Sequence, residues 1–148
     1  MTTPADFDIG IIGSGVVGSR VASQLHSLGY RPRIAPLRHA TDLFDCSVVV
    51  LAHGAPHSAL AATFVAQGIA VVSVSDNLAD VLALLDIQDR ALARKVPVII
   101  GAACSPGMTG LLVHHVTRAF ESIDEVHVAV HGTGGPQCAR QHHDSLAG

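Results

Sequence analysis

Residues 7–28 read FDIGIIGSGVVGSRVASQLHSL, and their reading decides the fold. A short apolar run at 9–12 enters Gly13-Ser14-Gly15-Val16-Val17-Gly18. An amphipathic stretch then runs from Val16 to Leu28, and Gly29 stops it. Strand, G-x-G-x-x-G, helix is the dinucleotide-binding fingerprint in the context it requires. Each glycine has its own task. Gly13 allows the tight turn out of the strand, Gly15 lets backbone approach a pyrophosphate, and Gly18 lets the helix lie close on the sheet. The helix start offers unpaired N–H groups and the positive end of its dipole to the phosphates. Val17, Val21, Leu25 and Leu28 share one stripe at helical spacing and form the expected buried face.

Outward from this stretch, the 148 residues suit one domain with a sizeable core. The composition is 49% hydrophobic, yet no apolar run approaches the ~18 residues of a membrane span, so no membrane partner is expected. The hydrophobicity comes in short runs, as in a parallel sheet buried on both faces. A net charge of −3 gives no basic field for nucleic acid, and 3% aromatics gives no stacking platform for single strands. Three widely spaced cysteines make no disulfide framework. The start, MTTPADFD, has no basic and apolar leader pattern, so a cytoplasmic location is expected.

In chain order, RPRIAPL at 31–37 is a second strand whose two prolines place it at a sheet edge. Only HATDLFDC at 39–46 separates it from the next apolar run, SVVVLA at 47–52. A parallel crossover takes at least about 10–12 residues. One helical turn around 42–45 fits, and the usual third strand is shortened or missing. The rest is regular. Pro56 starts a helix that runs to Gln67, a strand covers 69–74, and Ser75, Asp76 and Asn77 offer N-cap side chains for one long helix to Arg94. A strand at 96–100 leads through GAACSPG at 101–107 into a helix over 108–120 with Leu111, Leu112, Val116, Ala119 and Phe120 on its apolar face. EVHVAV at 125–130 alternates as a half-exposed strand does. The expected class is α/β, a Rossmann-like doubly wound, mainly parallel sheet with the third strand shortened or missing.

Ligands of such sheets bind beyond the carboxyl ends of the strands, at the switch point. The candidate cofactor-binding residues are therefore Gly13, Ser14, Gly15, Val16, Val17 and Gly18 after the first strand, and Arg38 and His39 after the second. Ala52, His53 and Gly54 follow the third, Ser75 the fourth, and Ala103, Cys104 and Ser105 the fifth. An NAD site places Asp or Glu at the end of the second strand. Here the chain reads Pro36-Leu37-Arg38-His39. An arginine fork pairs with a 2′-phosphate, so NADP is preferred over NAD, with Arg38 as the reader and His39 beside it. His53 either touches the ligand or caps its turn. Cys104 has no base partner in the pattern and reads as a buried small hydrophobe. His131, Cys138, His142 and His143 lie close in sequence, but without a paired metal-binding motif no metal site is expected. Neither a G-x-S-x-G elbow nor a P-loop is present, and no catalytic residue is assigned.

The glycine turn together with Gly101…Ser105-Pro106-Gly107-Met108-Thr109 resembles the saccharopine dehydrogenase-like oxidoreductases. His131-Gly132-Thr133-Gly134-Gly135-Pro136 and Arg140-Gln141-His142-His143 are also similar to bacterial members. Ser105 stands where that family's loop carries an acidic residue. The resemblance implies an NAD(P)-binding Rossmann domain over 1–130 and a tail over 131–148 that opens a second, substrate- and dimer-forming domain. It implies a hydride-transfer enzyme acting on an amino-acid-derived small molecule, with this chain holding the cofactor and not catalytically complete by itself. The alternative is a stand-alone nucleotide-binding or regulatory module without catalysis. An open sheet edge or an orphaned strand at 125–130 invites a second copy, so a homodimer belongs to the expectation.

Overall fold

The computed structural model describes residues 8–131 and residues 135, 136, 139, 140 and 143. Five strands, β1 (Ile9–Ile12), β2 (Arg33–Ala35), β3 (Val48–Leu51), β4 (Ala70–Ser73) and β5 (Val98–Ile99), form one parallel sheet in the order β2-β1-β3-β4-β5. The register sets Ile11 beside Ile34 and Val50, and Val50 beside Val72. β2 is an edge strand, as its prolines require, and no strand stands between β2 and β3 in sequence. That stretch is instead a 3-10 segment, Leu37–Leu43, so the helical turn comes earlier than 42–45. It begins as soon as Pro36 ends the strand. It also turns Ala40 and Leu43 into the core.

Two apolar layers sandwich the sheet. On one face Ile12, Val49, Leu51 and Val71 pack with Leu43, with Phe64 and Val65 of α2 (Ser58–Ala66), and with Leu84 and Ala91. The ring of Phe44 meets Phe64 edge-on at 5.3 Å. On the other face α1 (Val16–Ser27) covers Ile11, Val50 and Ala52 through Val21, Ala22 and Leu25. The expected stripe of α1 is therefore rotated: Val17 and Leu28 are exposed, and Gly18 and Ala22 are the buried residues. The close approach at Gly18 brings its side of the helix to the sheet and turns Val17 outward.

Four further expectations are corrected. The helix after β3 starts at Ser58 and not at Pro56, because the carboxylate of Asp80 accepts the N–H groups of His57 and Ser58 there. The long helix before Arg94 is two helices, α3 (Leu78–Leu85) and α4 (Gln88–Arg94), and the break between them lets Ile87 join Leu84 in the core. α5 (Met108–Thr117) forms, but none of its residues is buried; Leu111, Leu112, Val116 and Phe120 are all exposed. Residues 125–130 have extended-strand alternation but no strand partner among the described residues, so no strand forms there, and Val126, Val128 and Val130 are exposed. Among the described residues, no helix is long and apolar enough to cross a membrane.

Candidate functional site

Because all five strands are parallel, their carboxyl ends lie along one edge, and the segments after them line up in sheet order. Arg38 and His39 follow β2, the glycine turn follows β1, Ala52–Gly54 follows β3, Ser75 follows β4, and Ala103–Ser105 follows β5. The chain leaves β1 toward β2 on one side and leaves β3 toward β4 on the other, so the switch point lies between β1 and β3.

The glycine turn is built as the motif demands. Gly13 has φ +115°, and a Cβ there would stand 2.6 Å from the Ala52 carbonyl oxygen and 2.9 Å from the His53 nitrogen. The turn and the β3 exit thus touch through bare backbone. A Cβ on Gly18 would stand 1.8 Å from the Gly13 carbonyl oxygen, which only glycine permits. Gly15 differs: it caps α1 with extended backbone, and no described residue lies within 4 Å of where its Cβ would be. That open space faces a helix start with no acidic residue in its first turn and no side-chain cap. The exposed residues Ser14, Gly15, Val16 and Val17 therefore surround unpaired N–H groups and an uncompensated positive dipole end. Gly135 lies beside Val16, its Cβ position 3.6 Å from a Val16 methyl, so residue 135 stands at the same mouth. The other tail residues singled out in the sequence, 132–134, Cys138, Gln141 and His142, lie outside the described residues.

Arg38 is exposed and makes no hydrogen bond or ion pair to a described residue. His39 turns to Asp42, 3.6 Å away within the 3-10 segment. The neighbouring Arg33 is occupied. Its guanidinium bonds Asp45 and lies 3.0 Å from the Cys46 sulfur, pinning the short connection to β3. That hydrogen bond holds the Asp45 carboxyl below its usual pKa, whereas burial raises that of the Cys46 thiol more than Arg33 lowers it.

His53 both caps its turn and faces a second histidine. Its Nδ1–H donates to the Gly54 carbonyl at 2.7 Å, and its ring lies 4.3 Å from that of His57. Burial, then the neighbouring His57, lower its pKa, so the ring is neutral near pH 7 and Nε2 carries a lone pair. Nε2 is buried and has no partner among the described residues.

Sequence reasoning missed the polar network beneath. His57 is fully buried; Nε2–H donates to the His53 carbonyl at 2.9 Å, which leaves Nδ1 to accept from the Ser73 hydroxyl at 2.8 Å. The Ser73 oxygen in turn accepts the Ser75 N–H at 3.2 Å. Asp80 is buried and accepts the backbone N–H of His57 at 2.9 Å and of Ser58 at 3.0 Å. Burial alone would raise its pKa, but the nearby Ser75 side chain and the bonds from the His57 and Ser58 backbone outweigh that and hold the carboxyl below its usual range. One signal was available: Asn77 and Asp80 have the spacing of a capping box, and the Asn77 side chain does accept the Asp80 N–H at 3.0 Å. Nothing in the spacing showed that the Asp80 carboxylate serves another helix.

The loop at 101–107 folds on itself. Met108 N–H donates to the Ala103 carbonyl at 2.9 Å and Thr109 N–H to that of Cys104 at 2.9 Å, while Ala102 N–H is tied to the Ser73 carbonyl at 2.9 Å. Ser105 is exposed, and so is Cys104, contrary to the buried role expected of it, because the closed loop turns outward at its tip. The sheet brings Arg38, the glycine turn and Ala52–Gly54 together. It sets the 101–107 loop three strand spacings from β1, roughly 14 Å away.

No protein-family model and no curated protein matches this chain. Solved structures match in fold. The WlbA dehydrogenase of Bordetella pertussis, in complex with NADH and UDP-GlcNAcA, is similar at a TM-score of 0.58 and 15% identity, over 80% of this chain and 43% of its own. The WlbA dehydrogenase of Chromobacterium violaceum, also with NADH and UDP-GlcNAcA, is similar at 0.57 and 14%, over 80% of this chain and 41% of its own. The fold is Rossmann-like α/β, and the chain spans about two-fifths of the length of these neighbours.

Proposed function

We propose that this chain holds a nicotinamide dinucleotide, with the pyrophosphate at the Gly15 face of α1, and is the cofactor-holding part of an oxidoreductase. One observation carries the reading: Gly13 and Gly18 are needed by close backbone contacts, whereas Gly15 faces open space at an uncapped helix start. Among the described residues the fold gives neither Gly15 nor the uncapped helix start a structural duty, and an anion gives both a purpose. That two structures of similar fold hold NADH supports the cofactor class. Arg38, exposed and without a partner among the described residues where NAD sites carry a carboxylate, favours NADP over NAD. Ser14, Val16 and Val17 line the phosphates, Ala52, His53 and Gly54 flank the crevice, and Ser75 with Ala103, Cys104 and Ser105 serve its far end. The bound group supplies hydride-transfer chemistry, and the residues described here bind and orient it.

The finer reading is a saccharopine dehydrogenase-like enzyme that acts on an amino-acid-derived small molecule in the cytoplasm. It rests on the Gly101–Thr109 motif. In that reading residues 131–148 open a substrate domain, and catalysis requires it.

The test is a melting curve with each dinucleotide. A ligand at a hundredfold excess over its Kd stabilises the folded chain by about 2.7 kcal/mol. NADPH is expected to raise the melting temperature more than NADH at equal concentration, and Arg38→Ala to erase the difference. No shift with either dinucleotide overturns the proposal. Equal shifts that Arg38→Ala leaves unchanged remove the NADP preference alone.

A further inference from the structure

The backbone at the β3 exit is the wall on which the glycine turn rests. A Cβ at Gly13 would stand 2.6 Å from the Ala52 carbonyl oxygen and 2.9 Å from the His53 nitrogen. The Ala52 N–H donates to the Ile12 carbonyl at 2.8 Å and ties that wall to the end of β1. One side chain fastens the turn that follows: the Nδ1–H of His53 holds the Gly54 carbonyl at 2.7 Å. The fastening suits a neutral ring only. With Nδ1 protonated, a second proton can go nowhere but Nε2, which is buried and has no partner among the described residues. The new N–H would lie unpaired beside a second imidazole, 4.3 Å away between ring centres, and a buried donor or charge without a partner is costly. The titratable groups that act on the ring are His57 at the start of α2 and Asp80 of α3. Burial first and His57 second disfavour its charged form, and the Gly54 carbonyl and the Asp80 carboxylate offset them only in part. The other neighbouring segments bring no charge, since residues 9–18, 48–52 and 69–75 hold no ionisable side chain, and Arg20 of α1 and Asp76 after β4 are exposed.

We propose that His53 is a proton-operated latch on the cofactor site: the neutral ring fastens the β3 exit against the glycine turn, and the protonated ring turns out to water, releases the Gly54 carbonyl and loosens the crevice wall. The coupling to a ligand rests on the dinucleotide reading above, whereas the latch is a property of the free chain. A ligand that binds the fastened form better must displace the proton, and the proton must displace the ligand to the same extent. The folded chain holds the His53 pKa below its ordinary value of 6.5. The latch is therefore closed near pH 7 and opens as pH falls through the folded value, below pH 6.5. Asp80 keeps its charge down to about pH 4, so the two events occupy separate ranges.

The experiment uses the full chain between pH 7.5 and pH 5, without ligand and then with NADP⁺. NMR of the free chain follows the His53 ring signals and the hydrogen-exchange protection of the Ala52 amide. Protection, corrected for the intrinsic exchange rate, is expected to fall by up to about tenfold per pH unit below the His53 midpoint, the limit for one proton. His53→Asn keeps an N–H₂ donor near the Gly54 carbonyl and takes no proton, so its Ala52 protection is expected to stay level. Calorimetry is expected to show the Kd for NADP⁺ rising on acidification more steeply in the parent than in His53→Asn. The proton that the 2′-phosphate takes up near pH 6 is common to both proteins and cancels in the comparison. Ala52 protection that ignores the His53 midpoint overturns the latch, and the parent alone decides this even where His53→Asn does not fold. Protection that follows the midpoint while both proteins bind NADP⁺ with one pH profile overturns the coupling. So does affinity that rises on acidification in the parent alone, as a cation drawing in the phosphates would give. A chain that binds no dinucleotide at pH 7.5 overturns the cofactor reading, and the exchange data still decide the latch.

Discussion

At the scale of single residues, the three glycines of one motif answer to different constraints, and substitution separates them. Gly18→Ala places a methyl 1.8 Å from the Gly13 carbonyl oxygen. Overpacking of this kind costs about 1–3 kcal/mol or more, so the variant is expected to melt several degrees lower with or without cofactor. A Cβ on Gly15 meets no described residue within 4 Å, so Gly15→Val is expected to cost only about 1 kcal/mol, that of an apolar residue at an N-cap, while the dinucleotide shift disappears. A Gly15→Val protein that still responds to NADPH would show the turn to be purely structural. These roles were legible in the sequence because spacing alone implies them. The histidines were not. His53 and His57 are four residues apart in a stretch with no regular period, and only the folded chain shows that their rings are in contact, tilted by 53°, and that one is fully buried. Cys104 failed for the opposite reason. Residue type suggested burial, but the loop closes through its own backbone and leaves the thiol outside.

At the scale of elements, the parallel strands and the edge position of β2 were readable from short apolar runs, prolines and connection lengths. The missing strand after β2 followed from too few residues between two runs. Helix ends were less readable, because they are decided by groups distant in sequence. Asp80 shows this: it caps α2 across 22 residues, a distance no local pattern encodes. Asp80→Asn keeps the shape, but one side-chain oxygen becomes an N–H₂ group facing donors. Hydrogen bonds to a charged group contribute about 1.5–3 kcal/mol, so the variant is expected to melt lower at pH 7 by about 2–4 °C for each kcal/mol lost. The acid side adds a sign. The folded state holds the Asp80 carboxyl below its usual pKa. The stability it contributes is therefore complete above about pH 4 and is lost as pH falls through the folded value. Between pH 4 and pH 2 the parent is expected to lose more melting temperature than Asp80→Asn. Parallel acid curves for the two proteins would show that the carboxylate contributes nothing by its charge.

At the scale of the whole molecule, the chain is unevenly covered. Among the described residues, one sheet face carries three helices and the larger core, the buried cluster on the other face takes its helix from α1, and α5 has no residue buried. Each helix carried a legible apolar stripe, but not a sign of which stripes would meet a partner, since amphipathicity records that a face must be covered and not by what. A further property belongs to the assembly and to no part of it. The carboxylate of Asp80 belongs by sequence to α3 and by contact to the start of α2, and the Ser73 hydroxyl between them holds the histidine at that start. Fraying of α3 therefore uncaps α2, and loosening of α2 strips a buried acid of its donors. Native-state hydrogen exchange is expected to show the amides of α2 and α3 opening with one common free energy, well above that of α5; separate opening energies for the two helices would sever the link. Two helices that no loop joins directly become one cooperative unit, and the crevice wall at His53 inherits its rigidity from a residue 27 positions further along the chain.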